Sequence, residues 1–319
     1  MPLFRQRKQN SQTKQPQEDP AQSLPKPVVD DPAAAQQALE NGQLVPAAMR
    51  RLMSLSDQKS FTSDLTINEF SLVKSSGLHP ICQVAGTAVY KIGYQQMPYG
   101  GSQPLSVLSE AFNEARRLAV KRLEQEAALA HADGVVGVRI TQGMFDAESG
   151  LIEFSMIGTA VKSLNGLMKN ARDNPSSRPV LTTLSGQDVH LLLENGISPA
   201  GLVGASSCYL ATLSISTYQQ MYSMFGPGSV NFEIKEFTQG YYASRQIVMR
   251  DVEKAAKSLG ASGIIDFRFH SNTNSYQLPG SNSENVGAVS FTTHVLATAI
   301  TQAAYSTQPK PQKILFVSP

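Results

Sequence analysis

The chain repeats itself, and that repetition limits its possible folds more than any other feature of the sequence. Residues 65–90 (LTINEFSLVKSSGLHPICQVAGTAVY) and 184–209 (LSGQDVHLLLENGISPAGLVGASSCY) align at a constant spacing of 119 residues without a gap. The alignment pairs Leu65 with Leu184, Glu69 with Asp188, Gly77 with Gly196, Pro80 with Pro199, Val84 with Val203 and Tyr90 with Tyr209. Thr66 with Glu69, and Ser185 with Asp188, form the same capping signature. In each, a hydroxyl takes one orphan N–H of a helix start and a carboxylate takes another. Gly77 and Gly196 then supply the left-handed residue that ends a helix.

A β-rich run follows in each copy, Ile81–Tyr94 and Ala200–Tyr218, and each run closes on the same tetrapeptide. These are Tyr94-Gln95-Gln96-Met97 and Tyr218-Gln219-Gln220-Met221, and glycines follow both. Next comes an amphipathic helix. Leu108, Phe112, Ala115, Ala119, Leu123 and Ala127 recur at steps of three and four in the first copy. Phe237, Tyr241, Val248, Val252, Ala256 and Leu259 form a comparable stripe in the second. Buried-looking strands at 131–139 and 260–268 align at a spacing of 129 residues, which matches Ala132 to Ala261, Gly134 to Gly263 and Arg139 to Arg268. Last strands, Ile152–Val161 and Phe291–Ile300, align at 139. The turn before the second of these, Ser271 to Val286, is long and rich in Ser and Asn, as expected where copies drift.

The pattern predicts an α+β fold of two tandem two-layer β-α-β-β modules, each preceded by a short helix. Residues 1–30 are polar and too poor in large apolar side chains to offset chain entropy, so they form a disordered tail. Residues 31–60 form a helical arm that starts at Asp31-Pro32 and packs on the first module or docks a partner. The modules span 61–165 and 180–302, the linker 166–179 and a C-terminal tail 303–319.

Gly100-Gly101, Glu114-Ala115-Arg116, the run Ala132-Asp133-Gly134-Val135-Val136-Gly137-Val138 and Gly158-Thr159-Ala160-Val161 together resemble the YbjQ-like family. Its members carry a heavy-metal-binding label. The second copy matches through Leu259–Ile265 and Ala297–Ile300. The resemblance implies a YbjQ-like, dodecin-like unit that assembles into pentameric rings without established enzymatic activity. The chain departs from the family at two places: His131 stands where a helix-ending glycine is expected, and Ser262 replaces the Asp.

The duplication also serves as a filter for chemistry. His79-x-x-Cys82 is the best local candidate for a soft or borderline metal ion, yet its counterparts are Ser198 and Gly201. Neither histidine nor cysteine recurs between the copies, and P-loop, dinucleotide, zincin and nucleophile-elbow motifs are absent. With no cofactor expected, the reading is a non-enzymatic assembly or scaffold protein, with metal or small-ligand binding as the alternative. Arg116 and Arg245 recur on the long helices and serve either salt bridges within a module or contacts between ring neighbours. The two YQQM elements end a strand or offer an edge to a neighbour.

The expected partner is the chain itself. Five chains carrying two stacked rings would close, because five whole chains cannot fill one five-membered ring with both modules; a ring with pseudo-symmetry of another order is the alternative. The N-terminal arm or the tail at Lys313–Val317 could tether another protein. A net charge of +2 and no long apolar run point away from nucleic acid and membrane. Two cysteines and no secretory signal point to the cytoplasm.

Overall fold

The computed structural model describes residues 30–58, 62–93, 101–146, 150–164, 166, 168, 178–222, 231–277 and 286–302. The arm is two helices, α1 (Pro32–Glu40) and α2 (Pro46–Gln58). Asp31 caps α1 by accepting the Ala33 N–H, and Pro32 fills a first-turn position where an N–H is not needed. The arm packs on the first half. Leu44 and Leu52 are buried, Arg51 pairs with Glu126 at 2.5 Å, and Gln125 donates to the Gly42 carbonyl.

The first half continues with α3 (Ile67–Ser75), β1 (Leu78–Lys91), β2 (Gln103–Pro104), α4 (Ser106–Leu129), β3 (Gly134–Asp146) and β4 (Leu151–Ser163). The second half holds β5 (Val180–Leu181), α5 (Gly186–Glu194), β6 (Ile197–Thr212), α6 (Ile215–Tyr222), α7 (Lys235–Ser258), β7 (Gly263–Gln277) and β8 (Val286–Gln302). Both α3 and α5 start on the predicted hydroxyl caps. Thr66 and Glu69 complete the reciprocal box. Asp188, one methylene shorter than Glu, instead accepts the Ser185 hydroxyl at 2.7 Å.

Two four-stranded sheets result, in the orders β1-β4-β3-β5 and β2-β6-β8-β7. The short strands are exchanged between halves. β2, which leads into α4, adds to β6 of the second sheet, and β5, which leads into the second half, runs parallel to β3 of the first. The α+β content is as expected, but the two tandem two-layer units share an interior. Helix α4 lies between the sheets, so the layers run first sheet, α4, second sheet, α7. One core joins Phe112, Ala115, Ala119 and Leu123 of α4 to Phe154 and Met156 on one side and to Cys208 and Leu296 on the other. Helix α7 covers the far face of the second sheet through Val248, Val252 and Ala256, against Val203, Ala205, Val295 and Ala297.

Other differences from the sequence reading have local causes. The Ser/Asn-rich stretch after Ser271 is strand as far as Gln277, paired with β8 from Val286 to Thr293. Its polar composition reflects exposure along that edge, not a turn. On α7 the buried stripe is Gly240, Ser244, Val248, Val252 and Ala256, while Tyr241 and Leu259 are exposed. A Cβ at Gly240 would come within 2.5 Å of the Ala211 Cβ, so the small residue sets how closely this helix approaches its sheet. His131 takes the left-handed conformation (φ 54°), as does Gly260 in the second half (φ 69°).

Candidate functional site

The sequence-predicted candidates do not gather into one site. His79 is exposed on β1, whereas Cys82 is buried among the arm and α4. Burial raises the Cys82 thiol pKa, with Arg51 pulling it down and Glu126 pushing it up. Burial likewise pushes Cys208 up to about 11, against its hydrogen bonds with Thr292 and Ser109. Neither thiol is in the electropositive setting that makes a nucleophile. Among the described residues no group of three His, Cys, Asp or Glu side chains stands close enough to hold a metal ion, and no helix is long and apolar enough to cross a membrane.

Tyr94, Gln95, Gln96 and Met97 lie outside the described residues. Tyr218, Gln219, Gln220 and Met221 lie in α6, which corrects the expectation of a strand edge. The Ser214 hydroxyl accepts the Thr217 N–H at 3.2 Å and the Ser214 carbonyl accepts the Tyr218 N–H at 2.9 Å, a local cap that commits the segment to helix. Glu236 holds the cap from outside: it accepts the Thr217 hydroxyl and the Ser214 N–H, and with the Thr217 bond foremost its pKa falls to about 2.

Arg116 is at the joint between the halves, and that joint is the most specific construction in the molecule. The Asn113 amide clamps the backbone of Ser206 on β6. Its Nδ2 donates to the Ser206 carbonyl at 2.8 Å, and its Oδ1 accepts the Ser206 N–H at 3.0 Å. Two residues on, the Cys208 N–H donates to the Ser109 hydroxyl, and the Cys208 carbonyl accepts the Leu105 N–H. The edge of β6 is thus satisfied residue after residue by α4 and its lead-in, and β2 continues the row at Leu210 and Tyr209. Phe112 packs edge-on against His294 of β8 at 4.7 Å between ring centroids. A Cβ at Gly204 would sit 3.4 Å from an Arg116 nitrogen.

The lead-in to the second half makes the return contact. Thr182 exchanges backbone hydrogen bonds with Val135 and Val138 of β3, and the Arg268 guanidinium reaches the Thr183 carbonyl at 2.6 Å. Helices α3 and α5 touch where Gly186 meets Val73 and Ser76 meets His190.

Several residues at the repeat spacings from these joint residues are exposed. Tyr242, 129 residues after Asn113, is 62% exposed, and Tyr241, 129 after Phe112, is 40% exposed. Val89, 119 before the buried Cys208, is 54% exposed, and Ile67, 119 before the buried Gly186, is 86% exposed. Arg245, 129 after Arg116, is exposed and lies over the Phe269 ring at 5.5 Å. The large side chains were legible as apolar residues in the sequence. Only the joint reveals which ones share a face.

Comparison with known proteins agrees with this architecture in part. The YbjQ_1 family model, described as "Putative heavy-metal-binding", matches residues 99–164. The chain is 34% identical over 231 residues to the encapsulin nanocompartment protein Rv1762c of Mycobacterium tuberculosis. The match spans 72% of this chain and 85% of that protein.

Proposed function

The chain belongs to the family of this encapsulin nanocompartment protein, and from that premise we propose that it is a non-catalytic structural subunit that assembles head to tail with copies of itself. In this reading the two halves are copies of one YbjQ-like module, and the joint within the chain is the pattern for the joint between chains. One observation carries it: the exposed Tyr241, Tyr242, Val89 and Ile67 are the repeat counterparts of Phe112, Asn113, Cys208 and Gly186 at the inner joint. Exposed apolar side chains are unremarkable singly. Here they fall on two surfaces, the outer face of α7 (Tyr241, Tyr242) and the β1 side of the first half, where Val89 lies on β1 and Ile67 on α3.

The contact joins unlike surfaces, so it is heterologous, and repeating it gives a closed ring or an open array. Each chain then supplies two neighbouring positions of one arc. This favours a ring holding twice as many modules as chains over five chains in two stacked rings.

Complementary defects test the polarity. Val89→Asp spoils the β1 surface and Tyr242→Asp the α7 surface. By light scattering at micromolar concentration the wild type is expected to assemble and each variant to be monomeric. An equimolar mixture is expected to form dimers and nothing larger, through the one intact pair of faces. A monomeric wild type, or variants that assemble like the wild type, would refute the proposal. A mixture that stays monomeric would refute the head-to-tail polarity.

A further inference from the structure

The inner joint forms a cavity of about 280 Å³, open to solvent on one side, that the assembly reading does not use. Its lining includes Arg116, Gln142, Phe154, Phe269, His270 and His294. Arg116 enters from α4. Its Nη2 donates to the Asn113 Oδ1 at 3.0 Å, while its Nε is buried with no hydrogen-bond partner among the described residues. No carboxylate stands within ion-pair distance of it among those residues. Burial alone acts on the guanidinium and lowers its pKa to about 10, so it remains charged at neutral pH. A buried cation without an anion is costly, and so is a buried donor without an acceptor.

Gln142 adds a second such donor, its Nε2 buried and without a partner among the described residues. His294 is already committed through Nδ1 to the Ser206 hydroxyl at 2.8 Å. The remaining walls are largely apolar, with Phe154, Phe269 and Leu296 among them. The cavity therefore offers unspent donors and the uncompensated charge of Arg116 beside hydrocarbon, while its other cation, Arg268, is paired with Asp266 at 3.0 Å.

We infer that this cavity binds a small organic monocarboxylate, whose anionic head meets Arg116 and Gln142 and whose apolar body lies along Phe154 and Leu296. The chemistry follows from the complement. A carboxylate is acceptor-only and matches a guanidinium with charge-assisted hydrogen bonds. The apolar walls favour a carbon body over a bare, strongly hydrated inorganic ion. The site lies within one chain, so it does not depend on assembly. Its position between the halves explains why its histidines do not recur, although Arg116 does, as Arg245. The counterparts of His270 and His294 are Thr141 and Ser155, because a site between halves occurs once per chain.

Calorimetric titration of the full chain with sodium benzoate, benzamide and inorganic phosphate is the test. Benzoate is expected to bind one per chain at millimolar or lower concentration, with benzamide and phosphate each at least about tenfold weaker. Gln142→Glu, which places a second anion beside the head group, is expected to weaken benzoate by about tenfold or more. Arg116→Gln is expected to abolish binding, and Gln142→Glu keeps the test valid should that variant fail to fold. No benzoate binding, benzamide or phosphate binding as tight as benzoate, or an unaltered affinity in Gln142→Glu would each overturn the assignment.

Discussion

Helices α4 and α7 are both 24 residues long and stand 129 residues apart, yet they have different neighbours. Helix α4 has a sheet on each side, and α7 has one. The sequence of each helix records this. On the side facing the other half, α4 carries Asn113, whose amide matches a backbone donor and acceptor, and Phe112, which fills a pocket under His294. At the same places α7 carries two tyrosines. Tyrosine gives area and a polar tip, the combination found at interfaces wet on one side. The two helices thus present different faces, one to a joint within the chain and one to the outside.

The largest expected effect sets the inner faces of the two helices against each other. Gly86 on β1 lies directly beneath α4, and a Cβ there would come within 2.2 Å of the Ala119 carbonyl and 2.5 Å of the Leu123 nitrogen. Backbone cannot yield as a side-chain tip can, so Gly86→Ala should cost about 3 kcal/mol or more. Its counterpart Ala205 on β6 already carries a methyl group beneath α7. Ala205→Gly should cost only about 1 kcal/mol, mainly through backbone entropy. Urea denaturation of the two variants gives both values, and equal costs would mean that the helices seat alike.

A middle-sized effect separates the outer faces. Asn113→Ala strips two partners from the Ser206 backbone and should destabilise the chain by about 2 kcal/mol. Tyr242→Ala, at the matching place on α7, should stay within about 0.5 kcal/mol in the unassembled chain, as is usual for exposed positions. A comparable loss at Tyr242 would mean that this face is already covered within the monomer.

Much of this fold was legible in the sequence. The caps, the glycine stops and the helical stripe of α4 follow local rules, and local rules survive folding. The strand exchange was not legible. Gln103-Pro104 and Val180-Leu181 are two-residue strands, too short to carry a period. The identical tetrapeptides misled because Tyr218–Met221 is governed by Ser214 upstream and Glu236 downstream, not by its own composition. The duplication filter also had a blind spot. It discounted His294 because Ser155 faces it in the alignment, which is sound for a site inside one module. A site between the two halves has no second copy within the chain, so Gln142 and His294, which face Ser271 and Ser155, pass through such a filter unseen, whereas Arg116 recurs as Arg245.

The smallest expected effect rests on that non-recurring histidine. His294 is buried beside His270, Arg116 and Phe112, and burial, reinforced by the neighbouring His270 and Arg116, lowers its pKa from the usual 6.5 to about 3. The folded chain keeps this imidazole neutral, whereas the unfolded chain protonates it below about pH 6.5. The unfolded state therefore binds the extra proton, and stability present above pH 6.5 drains away as the pH falls towards 3. Between pH 6.5 and 5.5 the loss should be about 1 kcal/mol from this group. His294→Ser installs the residue found at Ser155 and should remove that slope while lowering stability at neutral pH. The counterpart contact between chains would place Ser155 where His294 stands, with nothing there to titrate in this range. Mild acid should then loosen the joint inside the chain while contacts between chains hold, and parallel melting and light-scattering curves from pH 7 to 5.5 would expose the difference. If the slope persists in His294→Ser, the acid sensitivity belongs elsewhere and the inner joint is no more pH-dependent than the outer face.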